Sequence, residues 1–315
     1  MSYQKADFAP LRETGYGIGF HWTTWTAPRS GEPLPFPEAV EAFPVEALVE
    51  QAVECGAGHV LFPVTHALHW IPGPNPEVDR LIAGRTCERD LIMEVADALA
   101  VAGIKLLIYY HHGTDLGSND DPEWQEACGA RLPDQSRFYD NYCRILSWMG
   151  EHYGSKVLAF WFDAGYALEA RPPTPWERMT AAAKAGHAGR LVCYNSGIDN
   201  FHAYTPYQDY WAGEVNGLRF RPSGPLTPSG LYWYSFTAPH THPQCPEWGL
   251  WGLDMSLRDG DYPAPPAPQI ADFLRSFQAC GGTVSLNLLV YQDGSLYDAD
   301  LGVMREVKRL MQGAG

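Results

Sequence analysis

The stretch Val157-Leu158-Ala159-Phe160-Trp161-Phe162-Asp163 decides the fold, because it is a short apolar run that ends in a carboxylate. A short apolar run without alternation is typical of a strand buried on both faces of a parallel sheet. Comparable runs recur along the chain and end in polar or aromatic side chains: His21-Trp22, Thr65-His66, Tyr109-Tyr110-His111-His112, Tyr194-Asn195 and Asn287. We therefore predict a parallel sheet whose strand ends carry the functional side chains.

Apolar runs that suit strands alternate with amphipathic runs that suit helices. The predicted strands are Tyr16–Trp22, His59–Val64, Ile104–Tyr110, Val157–Asp163, Leu191–Asn195, Leu231–Phe236, Gly249–Asp254 and Thr283–Val290. The predicted helices are Val45–Cys55, Arg89–Ala102, Ser136–His152, Trp176–His187, Gln269–Cys280 and Leu301–Met311. Such alternation in a chain of this length indicates either a doubly wound sheet or a (β/α)8 barrel.

Two observations favour the barrel. A doubly wound dinucleotide-binding sheet carries its glycine-rich turn after the first strand, whereas Gly15-Tyr16-Gly17-Ile18-Gly19 lies before and within that strand. We interpret these glycines as permitting close packing. In a barrel, moreover, the polar strand ends converge on one mouth, where catalytic residues lie. Because no linker or repeat divides the chain, we predict one (β/α)8 barrel domain over residues 1–315.

The composition excludes several classes of function. The chain has 315 residues and a formal net charge of −15, which disfavours a nucleic-acid partner or an anionic membrane surface. It has no run of about 18 apolar residues and no apolar segment near its N-terminus, so we expect neither a membrane span nor a signal peptide. Its seven cysteines are odd in number and never form CxxC, which favours reduced thiols and a cytoplasmic location. The 11 Trp, 17 Tyr and 13 Phe residues can fill a core or offer platforms to a sugar.

Asp163 is the first catalytic candidate, as a nucleophile or base. A carboxylate directly after a buried apolar strand is poorly hydrated and needs hydrogen-bond partners or a chemical role, although it can also cap the next loop. A retaining glycosidase needs a second carboxyl group about 5–5.5 Å away. The candidates are Glu169, Asp199, Asp209, Glu214, Glu247 and Asp254. Glu214 lies beside Tyr210 and Trp211, and burial against these rings would raise its pKa, as a general acid requires; a glutamate on a surface loop is the equal alternative at this point.

The histidines could indicate a metal site, but the sequence favours hydrogen bonding. Adjacent residues on a strand point to opposite faces, so His111 and His112 cannot both bind one ion within a strand. No HExxH or paired carboxylate motif accompanies them or the run His240-Thr241-His242. We therefore predict no metal and no cofactor. His21 and His66, each directly after an apolar strand, are interpreted as hydrogen-bond donors to a polyhydroxylated ligand.

Five segments, taken in chain order, resemble a known family. They are Tyr16–Trp22, Arg89–Ile92 with Gly103–Tyr110, Trp161–Gly165, Asp209–Glu214, and Gly281–Asn287 with Asp293-Gly294. Together they resemble the catalytic domain of glycoside hydrolase family 29, the α-L-fucosidase family. The resemblance implies a (β/α)8 barrel and a retaining exo-α-L-fucosidase that acts by double displacement on a terminal α-L-fucose or a related α-L-sugar.

The resemblance also implies roles for individual residues. Asp163 matches the nucleophilic Asp of the family's Trp-Phe-Asp-Gly segment. Glu214 matches the acid/base Glu of its Asp-Tyr-x-Thr-Pro-Glu segment, and Asp209 and Glu247 remain alternatives. The side chains expected to bind the sugar are His21, Trp22, His66, Tyr110, Trp161, Asn195 and Trp211.

The chain departs from the family pattern after two strands. The family's His-His-Asp-Gly-Phe is Thr65-His66-Ala67-Leu68-His69 here, and its Asn-Asn-Arg is Asn195-Ser196-Gly197. We also expect no C-terminal β-sandwich of the kind usual in the family. These departures leave an L-galactose or L-glucose type of sugar open beside fucose.

Two other functions remain open at this point. A sugar isomerase or lyase could use Asp163 as a base in the same mouth, and a catalytically inactive barrel could bind carbohydrate. The expected partner in each case is a small carbohydrate or glycoconjugate. A homo-oligomer is also compatible with such a barrel, because barrels of this kind often cover their surface with a partner subunit.

Overall fold

Eight parallel strands form the centre of the molecule. The computed structural model describes residues 3–66, 68–115 and 121–313. The strands of the sheet are β1 (Gly17–Gly19), β2 (His59–Thr65), β3 (Lys105–Tyr110), β4 (Val157–Phe162), β5 (Leu191–Tyr194), β6 (Glu214–Asn216), β7 (Tyr234–Ala238) and β10 (Thr283–Asn287). They pair in the order β6-β7-β10-β1-β2-β3-β4-β5. Just before β6, the N–H of Asp209 donates to the carbonyl of Val192 in β5 (2.8 Å), and the architecture is the predicted (β/α)8 barrel.

Helices surround most of the sheet, and a hairpin of β8 (Thr241–His242) and β9 (Cys245–Gly249) follows β7. The helices are α1 (Ala9–Arg12), α2 (Phe36–Ala42), α3 (Val45–Cys55), α4 (Pro76–Asp79), α5 (Leu91–Val101), α6 (Pro122–Cys128), α7 (Ser136–Tyr153), α8 (Gly165–Glu169), α9 (Trp176–Ala183), α10 (Ala267–Ala279) and α11 (Asp298–Gln312). Residues 195–213 and 217–233, all of them described, connect β5 to β6 and β6 to β7 without a helix. No helix within the described ranges is long and apolar enough to cross a membrane.

Side chains alternate between the barrel interior and the layer beneath the helices. Along β4, Ala159 and Trp161 belong to the interior cluster, whereas Phe160 and Phe162 belong to the outer one. This is the period of two expected of a strand. The interior side chains of the neighbouring strands are Leu61, Leu107, Tyr109, Leu191, Cys193, Tyr234 and Phe236. Which residues of a strand point inward, the odd or the even ones, therefore decides which of its last side chains reach the mouth of the barrel.

Gly17 in β1 makes room for a histidine of the neighbouring strand. A Cβ atom at Gly17 would lie 2.2 Å from Cδ2 of His59. The His59 ring is hydrogen-bonded to the hydroxyls of Ser285 (2.7 Å) and Thr14 (2.6 Å). Burial lowers the pKa of His59 to about 3, so this ring fills the barrel as a neutral group. The close packing expected of the first strand is therefore confirmed at Gly17.

The N-terminal segment closes the end of the barrel opposite the mouth. Phe8 stacks on Tyr232 with ring centroids 4.9 Å apart. Phe8 and Leu11 are buried and belong to the interior cluster of the barrel. These side chains form a floor, so the barrel interior is a packed core and not a pore.

The floor is held in place by the buried carboxylate of Asp209. It accepts hydrogen bonds from the backbone N–H groups of Ala6 (2.8 Å) and Val192 (2.9 Å). The ammonium of Lys184 pairs with it at 2.8 Å, and the hydroxyl of Tyr3 donates to it at 3.0 Å. Asp209 thus joins the N-terminal segment to the amino end of β5.

Two features of the sheet differ from the sequence prediction. The predicted strand Gly249–Asp254 is wrong: after Gly249, which ends β9, the chain continues as a loop. This loop is apolar because Leu250 and Leu253 pack with Tyr291 in a small buried cluster. Conversely, β6 was not among the predicted strands, since three residues are too few to show a period.

Candidate active site

A cavity of about 450 Å³ lies at the carboxyl ends of the barrel strands. Its inner part is lined by side chains that lie on the strands or follow them directly: His21, His66, Tyr109, Trp161, Asp163, Glu214 and Phe236. Its outer wall comes from the β8–β9 hairpin and the loop after it: His242, Cys245, Trp248, Leu250, Trp251, Asp254 and Leu257. Catalytic residues of (β/α)8 barrels occupy this end of the fold.

The side chain of Asn195 joins the carboxyl groups of Asp163 and Glu214. Its Nδ2 donates to Asp163 Oδ1 at 2.8 Å and to Glu214 Oε2 at 2.6 Å. Its Oδ1 accepts the N–H of Gly197 at 2.9 Å, which defines the orientation of the amide. The two carboxyl oxygens can be no farther apart than the sum of the two donor distances. That upper limit excludes the spacing of about 6.5–9.5 Å found in inverting glycosidases and is compatible with the closer spacing of about 5–5.5 Å in retaining ones.

Asp163 is held in its ionised form. In addition to Asn195, the N–H of Ala164 donates to its Oδ1 (2.6 Å) and the hydroxyl of Tyr109 donates to its Oδ2. Burial acts to raise the pKa of Asp163, but the interaction with His111 and the two side-chain hydrogen bonds outweigh it. The pKa of Asp163 therefore lies below its ordinary value, and the group is an anion near neutral pH.

Glu214 is held in the opposite protonation state. Burial, and after it the charge of Asp163, raises the pKa of Glu214 to about 8 despite the hydrogen bond from Asn195. Since Oε2 accepts that hydrogen bond, the proton of the neutral acid is on Oε1. One protonated and one ionised carboxyl group at this spacing can act as a general acid and a nucleophile.

Asn287, the last residue of β10, orients two of the lining residues. Its Nδ2 donates to the carbonyl of Trp251 (2.9 Å), and its Oδ1 contacts Nδ1 of His21 (2.9 Å). His21 must then carry its proton on Nδ1, which leaves Nε2 as an acceptor. Burial lowers the pKa of His21, so the ring is neutral. The sequence-based interpretation of His21 as a donor is therefore corrected: the free nitrogen accepts.

His66 lies beside His21 in the cavity wall, with ring centroids 5.1 Å apart. Burial, and then the neighbouring histidines, place the pKa of His66 well below its ordinary value. Among the described residues none is hydrogen-bonded to Nδ1 of His66. This nitrogen is buried away from solvent, so His66 meets the cavity through other atoms of its ring.

Six of the predicted site residues meet at the cavity. His21, His66, Trp161, Asp163 and Glu214 line it, and Asn195 bridges the two carboxyl groups. The Trp161 ring stacks on Tyr109 with centroids 5.0 Å apart. Its indole N–H donates to a backbone carbonyl (2.8 Å), so a ligand would meet the ring and not the nitrogen.

Three predicted sugar ligands lie elsewhere, which corrects the sequence-based assignment. The indole N–H groups of Trp22 and Trp211 donate to backbone carbonyls at 2.8 and 2.7 Å. The hydroxyl of Tyr110 is hydrogen-bonded to Nε2 of His69 at 2.7 Å. All three side chains are buried in the outer cluster, between the sheet and the surrounding elements. Tyr110, the last residue of β3, is on the strand face opposite to that of Tyr109 and so points away from the barrel axis.

Tyr109 is part of the candidate site, although the sequence analysis placed it at a strand end without including it among the expected ligands. It lines the cavity and donates its hydroxyl to Asp163. The signal was available in the register: Tyr109 pairs with Trp161, which is two residues before Asp163 and therefore on the same face. The cavity residues Trp25, Trp248 and Trp251 were also not predicted, since Trp25 and Trp251 lie in loops and Trp248 lies on the short strand β9.

The other candidate carboxylates are placed unlike a catalytic acid. Asp209 lies at the barrel floor, and Glu247 is exposed on β9 and does not line the cavity. Asp254 lines the outer wall, where its Oδ1 accepts the backbone N–H groups of Ser256 (2.8 Å) and Leu257 (3.1 Å). Its position in the cavity and its protonation state together favour Glu214 as the candidate acid/base.

The adjacent histidines do not form a metal site. The Nε2 of His112 contacts the carbonyl of Ala164 (3.1 Å), and Nδ1 of His111 accepts the N–H of Gly113 (3.0 Å). Within residues 3–66, 68–115 and 121–313, no three or more His, Cys, Asp and Glu side chains are placed to hold an ion together.

Comparison with known proteins gives structural neighbours alone, since no protein-family model and no curated protein matches the chain. The chain is similar to an α-L-fucosidase from Lactobacillus casei in complex with α-L-fucose (16% identity, TM-score 0.60, 97% of this chain and 98% of that one). It is also similar to a family 29 α-L-fucosidase from Bacteroides thetaiotaomicron (16%, 0.64, 98% and 75%). A third neighbour is the endo-fucoidan hydrolase MfFcnA4 of glycoside hydrolase family 107 (13%, 0.66, 96% and 54%). At these identities the likeness shows the fold.

Proposed function

We propose that the protein is a retaining glycoside hydrolase of the α-L-fucosidase type, with Asp163 as nucleophile and Glu214 as acid/base. The observation that carries the proposal is the Asn195 amide, which bridges two carboxyl groups of opposite protonation state. An ionised and a protonated carboxyl group at this separation suit a double displacement. The order of the five matching segments supports membership of glycoside hydrolase family 29.

In the first step, the Asp163 carboxylate attacks the anomeric carbon while the bond from that carbon to the leaving oxygen breaks. Glu214 donates its proton to the leaving oxygen, so a neutral alcohol departs. The sugar is then held as an ester on Asp163, and Glu214 has become a carboxylate. The hydroxyl of Tyr109 and the amide of Asn195 stabilise Asp163 before the attack and after the ester breaks.

In the second step, Glu214 removes a proton from a water molecule that attacks the anomeric carbon and releases Asp163. Esterification of Asp163 removes the negative charge that helps to raise the pKa of Glu214. The pKa of Glu214 consequently falls in the intermediate, as a general base requires. The two attacks occur from opposite sides, so the sugar keeps its configuration.

The sugar proposed for this site is α-L-fucose or a close relative. Trp161 and Phe236 line the cavity with apolar rings. Such a lining suits a 6-deoxy sugar better than one with a hydroxymethyl group. His21 and His66 line the cavity, and Nε2 of His21 can accept a hydrogen bond from a ring hydroxyl. Two of the structural neighbours are α-L-fucosidases, which supports the same choice.

The first test is hydrolysis of 4-nitrophenyl α-L-fucoside, with the α-L-galactoside beside it. We expect the fucoside to be the better substrate and the first sugar released to be the α-anomer, followed by proton NMR. Asp163→Ala is expected to lower kcat by several orders of magnitude. Release of the β-anomer, or an Asp163→Ala variant as fast as wild type, would contradict the proposal.

Azide separates the roles of the two carboxyl groups. In Asp163→Ala, azide takes the place of the nucleophile and should give the β-L-fucosyl azide. In Glu214→Ala, azide attacks the ester on Asp163 and should give the α-L-fucosyl azide. Glu247→Ala, which alters an exposed carboxylate outside the cavity, is the control and should form neither. Formation of the α-L-fucosyl azide by Glu247→Ala would identify Glu247 on β9 as the acid/base in place of Glu214.

A further inference from the structure

The β8–β9 hairpin is anchored to the strand that carries the proposed acid. Glu214 and Asn216 both belong to β6 and are two residues apart, so their side chains leave the strand on the same face. The Nδ2 of Asn216 donates to the carbonyl of Glu247 in β9 (3.1 Å). The N–H of Leu250 donates to the carbonyl of His240 (2.9 Å) and closes the base of the hairpin. The residue after Glu247 is therefore held on the Glu214 side of the cavity.

That residue is Trp248, whose side chain is unusually exposed for its size. It lines the cavity, yet 51% of its surface is accessible to solvent. Leu257 and Trp25 line the same cavity. An indole ring left uncovered at a cavity rim is suited to stack on a flat apolar surface brought by a ligand.

The charges of the cavity restrict what that ligand can be. The carboxylates of Asp115, Asp163 and Asp254 line it together with the protonated Glu214, and none of its described lining residues is Lys or Arg. A sulfate or carboxylate on the ligand would therefore be repelled without a compensating cation. The chain as a whole, with a net charge of −15, adds to that repulsion.

Resting on the proposed function, we propose that the β8–β9 hairpin forms the leaving-group subsite and selects an uncharged ring that stacks on Trp248. The leaving oxygen must lie next to Glu214 to receive its proton, so the group attached to it extends toward the hairpin. Either an aryl group or the apolar face of a pyranose provides such a ring. The subsite thus stabilises the transition state through the half of the substrate that departs.

The test compares substrates with and without a ring in the leaving group. For 4-nitrophenyl α-L-fucoside and an α-L-fucosyl-glucose disaccharide, Trp248→Ala should lower kcat/KM about tenfold, as loss of a stacked ring does. For α-L-fucosyl fluoride, whose leaving group has no ring, kcat/KM should stay within about twofold of wild type. Trp248→Phe should retain most of the activity on both ring substrates. Trp148→Ala, a Trp on α7 outside the cavity, is the matched control and should change none of the rates.

A second comparison tests the selection against charge. An aryl α-L-fucoside whose phenyl ring carries a sulfonate should have a lower kcat/KM than the uncharged aryl fucoside. In Asp254→Asn, the kcat/KM values of the two substrates should be closer to each other. Equal rates for the charged and uncharged rings would overturn the selection. If Trp248→Ala lowers kcat/KM equally for the fluoride and for the ring substrates, or lowers it for neither, the subsite proposal is wrong.

The two proposals fail in different ways. If wild type does not hydrolyse the fluoride, the proposed function fails and the subsite fails with it. If wild type hydrolyses the fluoride and the Trp248 variants behave as wild type on every substrate, the subsite alone is wrong.

Discussion

In the proposed mechanism, Asn195 contacts both the nucleophile and the acid. Its single amide nitrogen supplies one hydrogen to Asp163 and one to Glu214. Both hydrogen bonds favour the ionised form of the acceptor. Burial and the mutual repulsion of the carboxyl groups oppose the ionisation of both at once, so one of them keeps its proton. Asp163 has further donors in Tyr109 and Ala164 and loses its proton first.

A bell-shaped pH dependence of kcat/KM follows from these protonation states. Activity should fall below the lowered pKa of Asp163, where the nucleophile becomes protonated, and above about 8, where Glu214 loses its proton. Glu214→Gln, assayed with α-L-fucosyl fluoride, should lose the alkaline limb, because the amide does not titrate. An alkaline limb that persists in this variant would assign it to another group.

The same pKa of Glu214 predicts a pH-dependent stability. The pKa of about 8 in the folded chain exceeds the ordinary glutamate pKa of 4.5, so Glu214 ionises first in the unfolded chain as the pH rises. Folding stability is therefore lost between about pH 4.5 and 8. Glu214→Gln should raise Tm at pH 8 by several degrees more than at pH 4.5. The exposed Glu50→Gln on α3 is the control, and an equal shift at both pH values would contradict the prediction.

Tyr109→Phe should weaken catalysis without removing it. The variant loses the hydroxyl that donates to Asp163, so the pKa of Asp163 rises and the acid limb moves to higher pH. A hydrogen bond to a charged group accounts for roughly tenfold to hundredfold in kcat/KM. Tyr110→Phe is the matched control: its hydroxyl contacts His69 on the other face of the strand, so its pH profile should not move. Similar profiles for the two variants would remove Tyr109 from the site.

At the scale of elements, strand phase explains which parts of the site could be predicted. Apolar strands that end in polar residues are a local signal, so the barrel and the positions of Asp163, His21 and His66 could be predicted. The choice between Tyr109 and Tyr110 depends on which face points inward, and that needs the register with β4. The role of Trp248 depends on a two-stranded hairpin whose bounds no period reveals.

The contact between β1 and β2 yields a prediction of its own. A methyl group at Gly17 would collide with the ring and the carbonyl of His59, at 2.2 and 2.3 Å. Gly17→Ala should therefore lower the free energy of unfolding by about 2–3 kcal/mol. Gly302→Ala is the control, because this glycine lies in α11 with no atom within 4 Å of its Cβ position. Urea unfolding should show that it raises stability by about 0.5–1 kcal/mol, and a similar change in both variants would contradict the argument.

At the scale of the whole molecule, the barrel has a reactive end and a structural end. The mouth carries carboxyl groups whose protonation states differ, and the floor carries Asp209, which is saturated with donors. Both ends use buried carboxylates after or before a strand. The sequence could not separate them, because Asp209 and Glu214 lie five residues apart in one aromatic stretch, and only the direction of β6 assigns one to each end.

Asp209→Ala is expected to loosen the floor. The variant leaves the half-buried Lys184 ammonium and the backbone N–H groups of Ala6 and Val192 without their acceptor, at a cost of about 3–5 kcal/mol in the free energy of unfolding. Limited proteolysis should then cleave within residues 3–12 sooner than in wild type. Asp272→Ala, which breaks an exposed pair with Arg275 on α10, should cost less than about 1 kcal/mol. Equal protection of the N-terminal segment in both variants would show that Asp209 does not hold the floor.

The position of Asp209 also orders events during synthesis. Its bond to Ala6 spans a sequence separation of 203 residues, so the segment that leaves the ribosome early has to wait for a partner made much later. The same carboxylate binds Val192 beside the seam between β5 and β6. We therefore expect the N-terminal segment to dock when β5 and β6 come together, late in folding. Contacts of such long range slow folding, and until they form, the apolar faces of Phe8 and Leu11 are exposed for a chaperone or for aggregation.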